Sequence, residues 1–486
     1  MPHYILKTLG CKANLSDSQL IEKKLQNRGW IPQEGSHNPI DLCIINSCTV
    51  THEADRQTRK IAAKLSRDHP QAVVVVTGCA AEVNPEDLSQ SPGVHFVVGN
   101  QNKIGLVDQV LKKIEIQSQT QITSDILNPK ILGKTKKYTK LLSKHPDDRD
   151  WPSVTESFEM PPTSLIGHSS RTRSFIKIQE GCNSFCTYCI IPYGRGPSRS
   201  LKITQVIQQI QQLVNQGVRE IVLTGTNIGD YGTDWNSFSC LEDLLEIILS
   251  STNLERLRLS SLDPTEISSR LLDLMSKNSR LCSHFHISLQ SPHSRVLRTM
   301  KRNYGFQEIQ DCLKRISRLS TGTPSKPNQV FVGMDIITGF PGETNEEFEW
   351  SYQALNSLPW NRLHVFPYSE REGTPAIKIP GVVPKLVRFQ RAKKLIQLSL
   401  NRLKNDHQIL LKDHLESQSP IHDVLLERKG DSPWISGYSK NYLRVLIRSE
   451  GQTEKNQVVS VYPIDLMIDS KNHDVAFIGK LKPTKV

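Results

Sequence analysis

Residues Ser174–Cys189 read SFIKIQEGCNSFCTYC: a short alternating strand, Ser174–Gln179, a turn at Gly181, and cysteines at 182, 186 and 189. Three thiolates at these spacings can wrap one iron–sulfur cube from a single loop. Cubes that only pass electrons usually take four cysteines. Three leave one iron open, and an open position is how a metal site acts on a bound molecule. The loop follows a strand, at the end of a parallel barrel where active sites gather. A zinc knuckle is the alternative, and it would want a fourth Cys or His nearby. No His lies between Arg173 and Ile210, and the next cysteine is Cys240.

Strand–helix alternation continues outward from this loop. Strands are expected at Glu220–Thr224, Arg256–Ser260, His284–Leu289, Val330–Thr338 and Arg362–Phe366, with helices such as Ile203–Gln216 and Leu241–Leu249 between them. Six such units suit a partly closed parallel barrel, a (β/α)6 relative of the eight-fold one. Pro384–Ser417 follows as a long basic helix carrying Arg388, Arg391, Lys393, Lys394, Arg402 and Lys404.

Upstream, strands His3–Thr8, Asp41–Asn46, Val73–Thr77 and His95–Val98 alternate with helices including Asp17–Asn27 and Ala54–Arg67. Continuous apolar strands in this order predict a parallel sheet covered on both faces. Cys11, Cys48 and Cys79 each stand just past one of these strands. Strand ends of a parallel sheet share one edge, where ligands bind, so the three thiols are candidates for a second cluster. The plain alternative is three small buried hydrophobes. Cys43, Cys240, Cys282 and Cys312 have no partner spacing and read as core or half-buried residues.

The expected organisation is an α/β chain: an N-terminal parallel domain (1–116), a Lys/Ser/Thr/Pro-rich linker (117–170), the barrel with its basic helix (171–416) and a small β-barrel (417–486). The tail strands are expected at Asp423–Glu427, Tyr442–Ile447, Gln457–Val461 and Val475–Lys480. The chain has 486 residues, 61 basic against 49 acidic, and a formal charge of +12. Such a balance suits a polyanionic partner, and serves solubility equally well. Apolar runs such as Ala72–Val76 are too short to cross a bilayer, and the N-terminus carries no secretory pattern. A cytoplasmic location and no membrane partner are expected.

The motifs resemble one family over nearly the whole chain. CxxxCxxC is the hallmark of the radical SAM superfamily. Thr8–Asn14 (TLGCKAN), Asn46–Val50 (NSCTV), Gly78–Ala81 (GCAA), Ser288–Ser291 (SLQS) and Asp335–Glu343 (DIITGFPGE) are similar to the methylthiotransferases, and the tail resembles a TRAM RNA-binding domain. The family has branches acting on isopentenyladenosine or threonylcarbamoyladenosine at tRNA position 37, and on an aspartate of a ribosomal protein. Arg173–Cys182, Leu363–Ala376 and Gly437–Val445 look most like the threonylcarbamoyladenosine branch.

The resemblance implies two 4Fe-4S clusters, one on Cys182, Cys186 and Cys189 and one on Cys11, Cys48 and Cys79. It also implies S-adenosyl-L-methionine (SAM) as cosubstrate. A 5′-deoxyadenosyl radical would take hydrogen from adenine C2, and the second cluster would deliver the methylthio group. Backbone near Tyr188, Gly225, Val365 and Phe366 would line the SAM adenine. Ser288, Gln290 and Asp335 would hold its ribose or amino-acid part. The implied partners are a tRNA anticodon loop and a donor such as flavodoxin or ferredoxin, with the enzyme acting as a monomer. The basic helix, and the terminal barrel with Arg428, Lys440, Arg444 and Arg448, are candidates to hold phosphates, and Tyr438 and Tyr442 to stack on bases; the plain alternative is a solvated basic helix and barrel-packing tyrosines. A departure stands at Ser291-Pro292-His293-Ser294, where the family usually has Ser-Gly-Ser-Asp/Asn. Proline fixes φ and removes a donor there. The remaining alternative is a non-catalytic, metal-stabilised RNA-binding protein.

Overall fold

The computed structural model describes residues 1–33, 39–120, 130–132, 172–235, 240–319, 330–427, 433–448 and 455–481. Most of the expected linker, and Arg428, lie outside these residues.

Six parallel strands form the first sheet: β1 (His3–Thr8), β2 (Ile31–Pro32), β3 (Leu42–Ser47), β4 (Val73–Gly78), β5 (Phe96–Gly99) and β6 (Lys130–Leu132), in spatial order β2-β1-β3-β4-β5-β6. β3 is buried along its whole length, and β4 along all but its first residue. That is why both read as continuous apolar runs. Cys43, Ile45, Val74 and Val76 pack on one face, and Ile44, Val75, Ile21 and Leu25 on the other. The helix His52–Asp68 begins where Thr51 caps it by accepting from the Ala54 amide. β2 and β6 are short edge strands with little periodicity of their own.

The central strands are β7 (Arg173–Lys177), β8 (Gln179–Glu180), β9 (Arg199–Ser200), β10 (Glu220–Thr224), β11 (Arg256–Leu259), β12 (Ser261–Leu262), β13 (His284–Gln290), β14 (Phe331–Thr338) and β15 (Arg362–Pro367). β7, β10 and β11 pair in parallel, as do β12 through β15, and β11 and β12 are one strand interrupted at Ser260. Six parallel units therefore stand as expected. The arc stays open between β7 and β15, which do not pair. Alternation sorts its faces. Phe285, Ile287, Leu289, Val332, Met334 and Ile336 pack outward against the helices, so His284, His286, Ser288 and Asp335 face the lumen.

The tail strands β16 (Ile421–Leu426), β17 (Trp434–Tyr438), β18 (Arg444–Arg448), β19 (Val458–Asp469) and β20 (Asp474–Leu481) close into a barrel. β17 went unread because Gly437 and Ser436 weaken its strand signal. The barrel sits against the amino ends of the central strands. There Arg256 and Arg258 share Glu220 at 2.7 Å each, and Arg258 also donates to the Lys440 carbonyl.

The long helix runs Lys385–Ser417, but three of its basic residues do not serve phosphates. Arg388 is buried, donating to Val383, Tyr368 and Glu370. Arg391 pairs with Glu343 at 2.7 Å, and Arg402 stacks on Trp360 and donates to Leu358. Lys394 pairs with Glu349, while Lys393 and Lys404 are exposed. Of the two readings of Tyr438 and Tyr442, the structure fits barrel packing. They pack on each other, Tyr442 lies against His284, and Arg173 covers both rings. They serve the seam between the barrels rather than a free stacking platform. Arg444 pairs with Asp474, Lys440 with Asp423, and Arg448 is exposed.

Candidate active site

Each thiol of the first group is placed by backbone geometry. Gly181 precedes Cys182 at φ +77°, and a Cβ there would collide with Pro197 and Gly196. The Cys182 amide donates to the Gly196 carbonyl at 3.1 Å, and the Cys189 amide to that of Cys186 at 2.9 Å. Gln179 staples the base of the loop: its Nε2 donates to the Gly181 carbonyl, and its Oε1 accepts from the Thr226 and Asn227 amides. Thr187 ties the loop to Thr299 and Met300 at one side and Ala376 at the other.

The second trio is assembled just past β1, β3 and β4. Gly10 adopts φ +91° because Cys48 lies on it: a Cβ there would stand 2.6 Å from the Cys48 Cβ and 2.7 Å from its Sγ. Asn14 locks the same corner, donating to the carbonyls of Leu9 and Ser47. Cys11 is exposed, whereas Cys48 and Cys79 are buried.

Within each trio the thiols feel one another. Burial, then the other two cysteines of its loop, pushes Cys189 up, and burial with Cys79 pushes Cys48 up to about 12. Grouped thiolates need a cation to be stable. Among the described residues, no three His, Cys, Asp or Glu side chains converge as a single metal ion would require. Three thiols in each trio match a cube ligated at three of its four iron corners.

The two trios adjoin. The helix Ile191–Arg195 follows Cys189 directly, and a Cβ on its Gly194 would stand 3.3 Å from that of Cys79. Arg195 is buried; it donates to Asn14 and pairs with Glu180 at 2.6 Å and Asp17 at 3.4 Å. Asp17 also receives Lys103 at 2.7 Å and Lys177 at 2.5 Å. On the far side of the opening, Arg371 pairs with Asp55 at 2.7 Å and donates to Thr49. The N-terminal domain thus reaches both edges of the open arc.

The expected SAM contacts are spread around the lumen mouth. Tyr188 packs on Phe340, and Gly225 lies against Gln179. Ser288 and Asp335 face inward, Asp335 accepting from His286 at 2.8 Å. Gln290 takes φ +63° at a break in the β13–β14 register. The Val365 side chain packs outward, and Phe366 is 48% exposed. The Pro292-His293 departure turns away from this group. His293 packs edge-on against Trp350 and lies 3.7 Å from Glu347.

Sequence reasoning missed Arg302. Its Nη1 donates to Cys186 Sγ at 3.1 Å, and its other donors reach Asp263 and Tyr304. Only the fold brings position 302 to position 186.

Two family models match the chain: the Radical SAM superfamily over residues 176–355, and Uncharacterized protein family UPF0004 over residues 3–99. The threonylcarbamoyladenosine tRNA methylthiotransferase of Bacillus subtilis is 32% identical over 444 residues, 91% of this chain and 89% of that protein. The chain belongs to the radical SAM methylthiotransferase family. It is an enzyme that transfers a methylthio group, using SAM and 4Fe-4S chemistry. The tRNA-2-methylthio-N(6)-dimethylallyladenosine synthase of Syntrophus aciditrophicus is 30% identical, covering 94% of this chain and 88% of that one. A radical SAM methyltransferase from Kitasatospora setae shares the fold at 16% identity and TM-score 0.50, with 77% of each chain covered. Among the described residues no helix is long and apolar enough to cross a membrane.

Proposed function

We propose that this methylthiotransferase adds the methylthio group to C2 of N6-threonylcarbamoyladenosine at position 37 of tRNA, in the cytoplasm. The carrying observation is the pair of thiol trios at adjoining loops of two domains. The branch follows the relatives that bear this name, in Bacillus subtilis and, at 32% identity over 81% of the chain, in Aquifex aeolicus. We assign Cys182, Cys186 and Cys189 to one cluster and Cys11, Cys48 and Cys79 to the other. The domains are those bounded at about 116, 171 and 417. When bound, the first cluster supplies the electron that cleaves SAM and the second supplies the sulfur. Tyr188, Gly225, Ser288, Gln290, Asp335, Val365 and Phe366 surround the SAM site.

The chain's own residues hold and shield this chemistry. Gln179 and Gly181 set the loop, Asn14 and Gly10 set the opposite corner, and Arg195 places a buried cation between them. The tail barrel reads as a TRAM-like RNA-binding unit. An anticodon loop suits the site because its bases can be unstacked. A flavodoxin or ferredoxin fits as donor, and a single chain contains both trios.

Bulk tRNA from cells lacking the modification, treated anaerobically with enzyme, SAM and dithionite and then digested, should yield 2-methylthio-threonylcarbamoyladenosine by mass spectrometry. Product only from isopentenyladenosine-containing tRNA would move the enzyme to the rival branch.

Arg302 has a separable role. A cationic donor on a cluster thiolate favours the reduced cluster. Arg302→Met should lower the midpoint potential by up to about 60 mV, the one-electron equivalent of about 1.4 kcal/mol. A redox titration followed by electron paramagnetic resonance measures this, and an unchanged potential would remove Arg302 from that role.

A further inference from the structure

Thr187 stands between Cys186 and Cys189, and its polar groups are tied to two surface segments. Its amide donates to the Met300 carbonyl at 3.1 Å, and its hydroxyl to the Thr299 carbonyl at 2.9 Å. Its carbonyl accepts from the Ala376 amide at 2.9 Å. The two segments lie side by side. Val296, Met300, Ala376 and Ile379 pack into one small core with Tyr188. Arg295 donates to the Gly342 carbonyl, and the Gly342 amide donates to the Gly381 carbonyl. Exposed Ile377 is therefore one residue and one hydrogen bond away from the cysteine loop.

What these segments show to solvent is apolar at the centre and cationic at the rim. Ile377, Val382, Leu386 and Phe389 are 41–70% exposed, and Pro375 and Pro380 are exposed along the same stretch. Apolar exposure concentrated in this way marks an interaction surface. Arg298, Lys301, Lys378 and Lys385 are exposed around it, and among the described residues none of them is in an ion pair. Of the carboxylates in residues 370–389, Glu370 is held by Arg388, and Glu372 is exposed. A second copy of the chain would bring the same cations to this rim and be repelled. A nucleic acid would match the cations but not the aliphatic centre, since its interfaces are polar. The tail barrel, moreover, sits at the amino ends of the central strands. This surface lies at their carboxyl ends, where Thr338 at the end of β14 donates to the Arg388 carbonyl. An acidic protein with an apolar contact face suits both parts of the patch.

We propose that this surface docks a small acidic electron-carrier protein, which delivers the single electron on which SAM cleavage depends. This rests on the function and donor class assigned above, and gives that donor a seat. The carrier is oxidised by one electron, and one C–S bond of SAM breaks to give methionine and the 5′-deoxyadenosyl radical. No other co-reactant is needed. Electron carriers bind through small contacts of less than about 1,200 Å², steered by charge, and an apolar centre inside a cationic rim is of that kind. Ala376 and Thr187 join the patch to the cysteine loop by a path of covalent bonds and one hydrogen bond. The carrier therefore stays outside the lumen, which is left to SAM and the substrate.

The test uses full-length, anaerobically reconstituted enzyme, a bacterial flavodoxin, and an anticodon stem-loop carrying threonylcarbamoyladenosine. Oxidised flavodoxin should bind wild type in a calorimetric titration, and added salt should weaken that binding. The double variant Lys378→Glu/Lys385→Glu should raise the dissociation constant at least about tenfold. The concentration of reduced flavodoxin that gives half-maximal 5′-deoxyadenosine formation should rise by the same factor. Leu386→Asp should repeat the pattern from the apolar side. Dithionite needs no docking surface, so SAM cleavage driven by it should be equal in wild type and both variants, as should stem-loop affinity. A wild type that flavodoxin does not bind would overturn the proposal, whether or not the variants fold. So would variants that bind flavodoxin as wild type does, or that lose stem-loop affinity, which would give the surface to RNA. If wild type methylthiolates the stem-loop with dithionite in any of these cases, the proposed function stands while the docking surface falls. If it does so with neither reductant, the proposed function itself falls.

Discussion

Cys182→Ala should abolish SAM cleavage and lower the iron content from about eight to about four per chain, whereas Cys48→Ala should lose the same iron yet keep cleaving SAM. Both variants should yield no methylthiolated nucleoside. The expectation follows from where the thiols stand. Cys182 is anchored to Gly196 and Ser184 inside the central loop, and Cys186 is the thiol that pushes it up further, after burial. Cys48 lies on Gly10 in a different domain, with Cys79 and Cys11 as its thiol neighbours. Losing one of three ligands leaves an iron corner without a thiolate, which a cube rarely survives. The site with an open position for SAM fails in one variant, and the sulfur-bearing site fails in the other. Cleavage is read as 5′-deoxyadenosine by chromatography, with iron measured on the same sample. If Cys48→Ala stops cleavage as completely as Cys182→Ala, the two trios do not divide the work.

The placement of the six cysteines, three in one loop and three past strand ends, was legible because both signals are local. One is a spacing within eight residues, and the other is the end of an apolar strand, repeated three times. The sheet order and the six-unit arc follow from the same alternation. The residues that join the domains carry no local signature. Asp17, Lys103 and Lys177 each sit in an ordinary stretch, and their partners lie up to 178 residues away. The basic helix shows the reverse error. Arg388, Arg391 and Arg402 read as a phosphate-binding face because charge on a helix usually points to solvent. Here each guanidinium is spent on carbonyls and carboxylates of the barrel, with its stem packed inside. Tyr438 and Tyr442 take the plainer of their two readings, as barrel-packing rings. Composition cannot distinguish a ring that waits for a base from one that closes a seam against Arg173 and His284.

Asp17→Asn should uncouple the N-terminal domain from the barrel. Asp17 sits at the centre of a buried network whose cations, Lys103, Lys177 and Arg195, come from both domains. Burial alone would raise its carboxyl; Lys103, Lys177 and Arg195 more than offset this and hold it well below the usual carboxylate range. Burial likewise opposes Glu180, which Lys177 and Arg195 bring down to about 2. Both pKa values are lower folded than unfolded. Their contribution is therefore complete above the unfolded value of about 4 and is lost only as pH falls through the folded values. At neutral pH the network is fully engaged. Three cations face two carboxylates, and the surplus charge lies with Arg195 beside Cys79 and Cys11, where a thiolate-held cluster is anionic. Removing Asp17's charge leaves three buried cations on one carboxylate, a loss of about 3–5 kcal/mol for a broken buried pair. The variant should therefore melt in two steps where wild type melts in one, and should lose the iron of the second site first. SAM cleavage by the barrel should persist, with methylthiolation falling at least about tenfold. A single, unshifted transition by calorimetry would show that the domains are held by packing alone.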